Sequence, residues 1–254
     1  MAKLRFTGRI YPTALHVSIN NFPSVQWIDG WTIEAGLTPI CHVAVQKNEV
    51  SIDVEVVHFD RELHFVPLAM RAYDTVRAAV DLLSFSSGNG FTFLFECWTD
   101  PDGITKPLAP QQQNLAPLAS AVANSFDEII KIVIVDPPLF LALRDLVESI
   151  TQWHQAPIAA ARSIERLRHS IAPNETDRKK QWRKLGGLLQ LEESYTKIIR
   201  DTSIAPRHGD PSHIPGYVTN EIARRAWTIM NRYLEFRKRG GVQPLSASEF
   251  PPLT

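Results

Sequence analysis

Cysteine is almost absent from this sequence: Cys41 and Cys97 are the only two in 254 residues. Two thiols make no disulfide framework, so the fold must rest on a buried core. Both are expected to be reduced and buried in an intracellular, cytoplasmic protein. Long hydrophobic runs are missing too. The most apolar stretches, "IIKIVIV" and "LFLAL", fall far short of a membrane span, so no membrane partner is expected. The amino-terminal "MAKLRFTGRIYPTALHV" has early positive charge but no apolar run of signal-peptide length. No G-x-S-x-G elbow exists to seat a hydrolase serine. The glycine-rich "SSGNG" is followed neither by Lys-Ser or Lys-Thr nor by a third glycine at dinucleotide spacing, and it reads as a turn before a strand. "HFDRELHF" holds His58, Asp60 and His64, but that short spacing lacks the converging ligands of a zinc site. No metal and no cofactor are expected.

Net charge is absent only in sum. Lysine plus arginine and aspartate plus glutamate number 27 each. Residues 1–150 carry 10 basic against 17 acidic side chains, and residues 151–254 carry 17 against 10. An acidic half joined to a basic half implies two parts with different partners, the basic one suited to a polyanion.

What is present divides the same way. "HVAVQKNEVSIDVEVVHF" alternates apolar and polar residues around a Lys-Asn turn and reads as a hairpin, and "GFTFLFECW" alternates similarly before the turn residues "DPDG". Between them, Met70, Tyr73, Val76, Val80 and Leu83 fall at helical spacing. Residues 1–135 therefore read as an α+β module, an antiparallel sheet with a packed helix. "SFDEIIKIVIV" fits a strand or a helix equally. From Asp136 the period is helical: Asp136 caps a helix opened by Pro137 and Pro138. Leu139, Leu143, Leu146 and Ile150 mark its stripe, and Ile158, Ala161, Ile164, Leu167 and Ile171 mark the next, with arginines opposite. The stretch from Glu175 to Ser203 is one long helix or a broken pair weakened at Gly186 and Gly187. The last helix has Thr219 as N-cap and Ile222, Ala226, Ile229, Tyr233 and Phe236 inward. Residues 136–254 read as a four- to five-helix bundle.

Between the last two of these helices lies "IAPRHGDPSHIPG", with Arg207, His208, Asp210 and His213 in one polar loop. An arginine grips phosphate through two parallel N–H donors, and a histidine exchanges a proton near neutral pH. Together they suit attack by a ribose 2′-hydroxyl on its own 3′-phosphate, a reaction in which a metal is dispensable. "RHGDPSH" resembles the R-x(4–6)-H motif of HEPN ribonucleases, and the resemblance covers roughly residues 137–240. It implies that Arg207 stabilises the phosphorane, His213 moves the proton and His208 orients them. It also implies a homodimer in which two such motifs form one RNA-cutting cleft, in a toxin or antiviral-defence setting. Arg162, Arg166 and Arg168 on one helix and Arg224 and Arg225 on another supply a candidate RNA-binding rim. "RSIERLRH", with Arg162 and His169, satisfies the same spacing inside a helical stripe. Glu193 and Lys197 read as a solvent pair one helical turn apart.

The leading expectation is thus a metal-independent endoribonuclease whose N-terminal module senses, binds or regulates, with a protein partner as one means of control. The alternative is a non-catalytic helical subunit that dimerises or docks on a larger complex, suggested by the aromatic richness of "RAWTIMNRYLEF".

Overall fold

The computed structural model describes residues 1–28, 32, 36–108, 115–123, 125–210 and 214–254. The protein is α+β and divides into two compact units, Met1–Ala109 and Pro110–Thr254. This division falls ahead of the 135/136 boundary drawn from the sequence. The ambiguous "SFDEIIKIVIV" is a helix, Phe126–Ile134, and its Ile129 and Val133 share a core with Leu139 and Leu146 of the helical unit.

The first unit is a six-stranded antiparallel sheet in the order β2-β3-β4-β1-β5-β6. Its strands are β1 (Ala2–Tyr11), β2 (Val25–Gln26), β3 (Ile40–Gln46), β4 (Glu49–Val56), β5 (Thr92–Thr99) and β6 (Thr105–Pro107). The predicted hairpin is β3–β4. Lys47 and Asn48 both take positive φ (49° and 73°), the mirror-image turn whose twist suits a two-residue hairpin loop. Asn48 is buried and does more than turn the chain. Its Oδ1 accepts from the Val17 N–H at 2.6 Å, and its Nδ2 donates to the carbonyls of Ile10 and Leu15 at 3.1 and 2.8 Å. A buried amide is tolerated only when paired in this way.

Helix α1 (Arg61–Ser87) covers one face of the sheet. Asp60 caps it, accepting from the N–H groups of Glu62 and Leu63, and Gly88 ends it at φ 68°. His64, one of the three residues weighed as metal ligands, uses Nδ1 to accept from the Asp60 N–H at 2.9 Å, and His58 packs edge-on against it at 4.9 Å. Beneath α1, Phe65 lies 4.5 Å from Trp98, and Tyr73 lies 5.6 Å from Phe93. The β1–β5 register shifts between Thr7 and Gly8, where the strands crowd together: a Cβ on Gly8 would lie 2.2 Å from the Leu94 carbonyl oxygen. Cys41 is fully buried and Cys97 half-buried, both as free thiols.

The second unit is helical. Among the described residues it holds α2 (Ser120–Ala123), α3 (Phe126–Ile134), α4 (Pro137–Thr151), α5 (Ala156–Ile171), α6 (Arg178–Leu189), α7 (Glu193–Thr202), α8 (Ile204–Arg207) and α9 (Gly216–Lys238). This is a finer division than four or five helices, because short segments become helical. Asp136 caps α4 as expected, accepting from the Leu139 N–H, with prolines in the first turn. Helix α9 sits centrally and touches α2 to α7; its Ile222, Ala226, Ile229, Tyr233 and Phe236 face inward. Of its aromatic residues, Tyr233 and Phe236 are core and Trp227 packs at the edge, while Tyr217 in the first turn is exposed. Its start differs from the sequence reading: Pro215 precedes the first turn, and Thr219 lies inside the helix with its Oγ1 on the Pro215 carbonyl at 3.4 Å.

The Glu175–Ser203 stretch is a broken pair, α6 and α7, but the break falls after the glycines. Gln190 takes φ 56° and turns the chain. Gly186 instead allows a close approach, since a Cβ there would lie 2.7 Å from the Leu191 carbonyl oxygen. The segment after α9 returns to this turn. The Leu245 N–H donates to Leu188, the Leu253 N–H to Gln190, and the Glu192 N–H to Leu253. Arg232, buried in α9, clamps the same place, donating to the carbonyls of Leu189 (2.9 Å), Gln190 (2.8 Å) and Pro251 (2.7 Å).

Candidate functional site

The predicted loop is part helix. Helix α8 follows α7 after Ser203 and carries Arg207 in its single turn. His208 terminates it, its N–H donating to the Ala205 carbonyl at 3.0 Å while its side chain stays exposed. Gly209 then takes φ 77°, which redirects the chain. His213, the expected proton carrier, lies outside the described residues together with Pro211 and Ser212.

Arg207 is anchored across the unit. Its Nη1 lies 3.2 Å from Glu165 Oε1 on α5, and Arg178 Nη2, at the start of α6, reaches the same oxygen at 2.9 Å. One carboxylate oxygen thus serves two guanidinium groups. Arg168 lies one turn further along α5 and feels both Glu165 and Arg178. It is buried, and its Nη2 meets the neighbouring His169 Nε2 at 3.0 Å. Burial lowers its pKa, with the nearby positive charge of Arg178 acting the same way and Glu165 opposing. Arg168 Nε and Nη1 have no hydrogen-bond partner among the described residues. The carbon at the centre of its guanidinium lies 5.1 Å from the Trp182 ring centre, and that of Arg200 lies at the same distance.

The expected RNA-binding arginines therefore separate. Arg168 joins this cationic cluster from the inside. Ile164, Arg168 and Ile171 are spaced as one helical stripe, so its inward position follows from the 3.6-residue period, although the sequence reading set all three arginines on the outer face. Arg162 bonds Glu148 at 2.7 Å and Asp145 at 3.0 Å, and Arg166 bonds Asp145 at 2.6 Å, stapling α5 to α4. Arg224 and Arg225 both bond Glu221, at 2.8 and 2.6 Å, and Arg225 also lies over the Tyr195 ring. Lys197 bonds Asp201 rather than Glu193, and Glu193 reaches Arg200 at 3.5 Å. Glu165, Arg178, Trp182 and Arg200 were not singled out in the sequence. They come from three helices, and no local motif joins them.

Residues 4–108 match the model for the N-terminal domain, and residues 126–238 the model for the C-terminal domain, of the domain of unknown function DUF8168. The chain belongs to the DUF8168 family. Each match falls within one of the two units, so the DUF8168 division into N- and C-terminal domains agrees with the division by packing. The Arg207 loop and the cationic cluster lie within the DUF8168 C-terminal match, whereas the segment that returns to the α6–α7 turn lies beyond it. No curated protein and no solved structure matches the chain. Among the described residues, no helix is long and apolar enough to cross a membrane.

Proposed function

We propose that this DUF8168 chain is a metal-independent endoribonuclease of the HEPN type, acting as a homodimer in the cytoplasm in a defence or toxin setting. The observation that supports the reading is the position of Arg207: α8 sets it in a basic cluster with Arg178 around one shared carboxylate, Glu165. A phosphodiester arriving there competes with Glu165 for guanidinium donors already aimed at an anion. In the proposed reaction the ribose O2′ attacks the adjacent phosphorus and the P–O5′ bond breaks, leaving a 2′,3′-cyclic phosphate and a 5′-hydroxyl end. His213 takes the proton from O2′, the departing O5′ takes one from water, Arg207 neutralises the crowded phosphorane, and His208 orients the phosphate. The N-terminal unit would select the target or regulate cleavage.

The test is cleavage of RNA by the full chain in EDTA. Activity that survives chelation and is lost in both Arg207→Ala and His213→Ala supports the reading. Cleavage retained in both variants removes the loop from the mechanism.

A second reading, a non-catalytic subunit that dimerises or docks, is favoured by exposed apolar side chains on α3 and the start of α4: Phe126, Ile134, Val135 and Phe140. Under that reading the full chain cuts no RNA, and polar substitution of Phe126 and Phe140 breaks its assembly.

A further inference from the structure

Helices α6 and α7 bound a cleft of about 450 Å³ whose walls are chemically unusual for two packed helices. From α6 it receives Lys179, Trp182 and Arg183, with Gly186 at its base, a spacing that places all four on one helical face. From α7 it receives Glu193 and Arg200, two turns apart on one face. The cleft-facing residues carry three cations, an indole and the Glu193 carboxylate, with Lys179, Arg183 and Glu193 exposed to solvent. Leu191 and the bare glycine backbone supply the apolar remainder.

Two donors at this cleft lack acceptors, although Arg200 Nη2 has Glu193 at 3.5 Å. Trp182 Nε1 and Arg200 Nε are buried atoms with no hydrogen-bond partner among the described residues. Arg168, which packs on the Trp182 ring without lining the cleft, is more than nine-tenths buried and leaves two more guanidinium nitrogens unpartnered among those residues. Buried donors without acceptors are costly, and the two on residues that line the cleft, Trp182 Nε1 and Arg200 Nε, favour an anion that accepts from them. Glu192 and Glu193 also line the cleft, Glu193 within 3.5 Å of Arg200, and they would repel an anion alone but accept N–H or O–H groups. The ligand must therefore have an anionic end and a donor-bearing end within the volume of a small-molecule pocket.

We infer that this cleft binds a nucleoside monophosphate. Its phosphate accepts from Trp182 and Arg200 with Lys179 and Arg183 at the rim, and its ribose or base donates to Glu193. The same chemistry is offered by a free mononucleotide and by the terminal nucleotide of an RNA. The assignment does not depend on the nuclease reading, since none of these residues belongs to the Arg207 loop.

The experiment is calorimetric titration of the full chain with AMP, GMP, CMP and UMP, and separately with adenosine and inorganic phosphate. At least one mononucleotide is expected to bind at one site per chain, with the nucleoside and inorganic phosphate each weaker by roughly tenfold or more, because each keeps only part of the hydrogen bonding. Arg200→Gln and the surface variant Arg183→Gln are expected to weaken it by about tenfold each. Arg183 is exposed, so its variant reports on binding even where Arg200→Gln perturbs folding. Arg207→Ala, which abolishes cleavage under the reading above, is expected to leave nucleotide affinity within about twofold, as a substitution outside the cleft should. A 5′-phosphorylated tetranucleotide that binds more tightly than the mononucleotide identifies an RNA end as the ligand; equal affinity identifies the free nucleotide. The inference is overturned if no mononucleotide binds at millimolar concentration, if inorganic phosphate binds as tightly as the nucleotides, or if neither variant weakens binding.

Discussion

Replacing Arg232 by methionine tests whether the buried guanidinium on α9 clamps the α6–α7 turn to the returning segment. It donates to three carbonyls at 2.7 to 2.9 Å, two at the end of α6 and one in the returning segment, and it faces the Phe250 ring at 5.8 Å. Among the described residues no carboxylate forms an ion pair with it, and burial lowers its pKa. Methionine fills similar length but strands those carbonyls, two of them at a helix C-terminus where the dipole favours a cation. Three charge-assisted hydrogen bonds at about 1.5–3 kcal/mol each would total about 5–9 kcal/mol. Relief of the guanidinium's desolvation, several kcal/mol, offsets much of that. The expected net loss is about 2–4 kcal/mol. Urea unfolding of the full chain, followed by helical circular dichroism, measures it, and hydrogen exchange at the Leu245 and Leu253 amides reports whether the returning segment has been released. A stability change below about 0.5 kcal/mol with both amides still protected would refute the clamp, since that is the ordinary effect of a surface substitution.

Adjacent glycines should respond in opposite senses. Gly186→Ala must push the Leu191 carbonyl from 2.7 Å and destabilise the α6–α7 turn, while Gly187→Ala meets nothing within 4 Å. The latter should gain up to about 1 kcal/mol from helix propensity, read from paired melts. Glu221 is held down to about 2, chiefly by its hydrogen bonds to Arg224, with Arg225 adding to the effect. A depressed folded-state pKa contributes stability that is complete above the ordinary value, 4.5, and is lost as pH falls towards 2. Glu221→Gln should therefore cost about 1 kcal/mol near neutral pH, after discounting for solvent screening, with the difference from wild type shrinking on acidification; a pH-independent difference would contradict this. Burial raises the Cys41 thiol to about 11, despite its hydrogen bond to Thr75. Native-state alkylation at neutral pH should leave Cys41 unmodified until the first unit unfolds, as mass spectrometry of the labelled chain can show.

The secondary structure that depended on local pattern was legible in the sequence. The Lys47–Asn48 hairpin, the Asp136 cap and the inward stripe of α9 all follow from spacing within one segment. Features set by distant contacts were not. The sequence suggests a break at Gly186 and Gly187, yet the turn comes at Gln190, because Gly186 is needed for the approach of Leu191. Helix α8 was hidden by Pro206, a residue that punctuates loops but fits a single helical turn. In the candidate site, Arg207 could be singled out by chemistry, but its partner Glu165 lies 42 positions away, and only packing pairs them. Arg162 and Arg166 read as phosphate ligands until α4 supplied Asp145 and Glu148. Charge counts along a sequence do not reveal which charges are already paired.

The returning segment also sets an order on the making of the protein. Residues 188–192 and 245–253 are joined by backbone hydrogen bonds across more than fifty positions. During synthesis the Leu188 carbonyl and the Glu192 amide of the α6–α7 turn therefore wait for residues 245–253 before these backbone pairs can form. A nascent chain reaching only Lys238 already contains the whole DUF8168 C-terminal match. Its α6–α7 wall would nevertheless stand unlatched, and the cleft beside Leu191 would take its final shape only when Leu253 arrives.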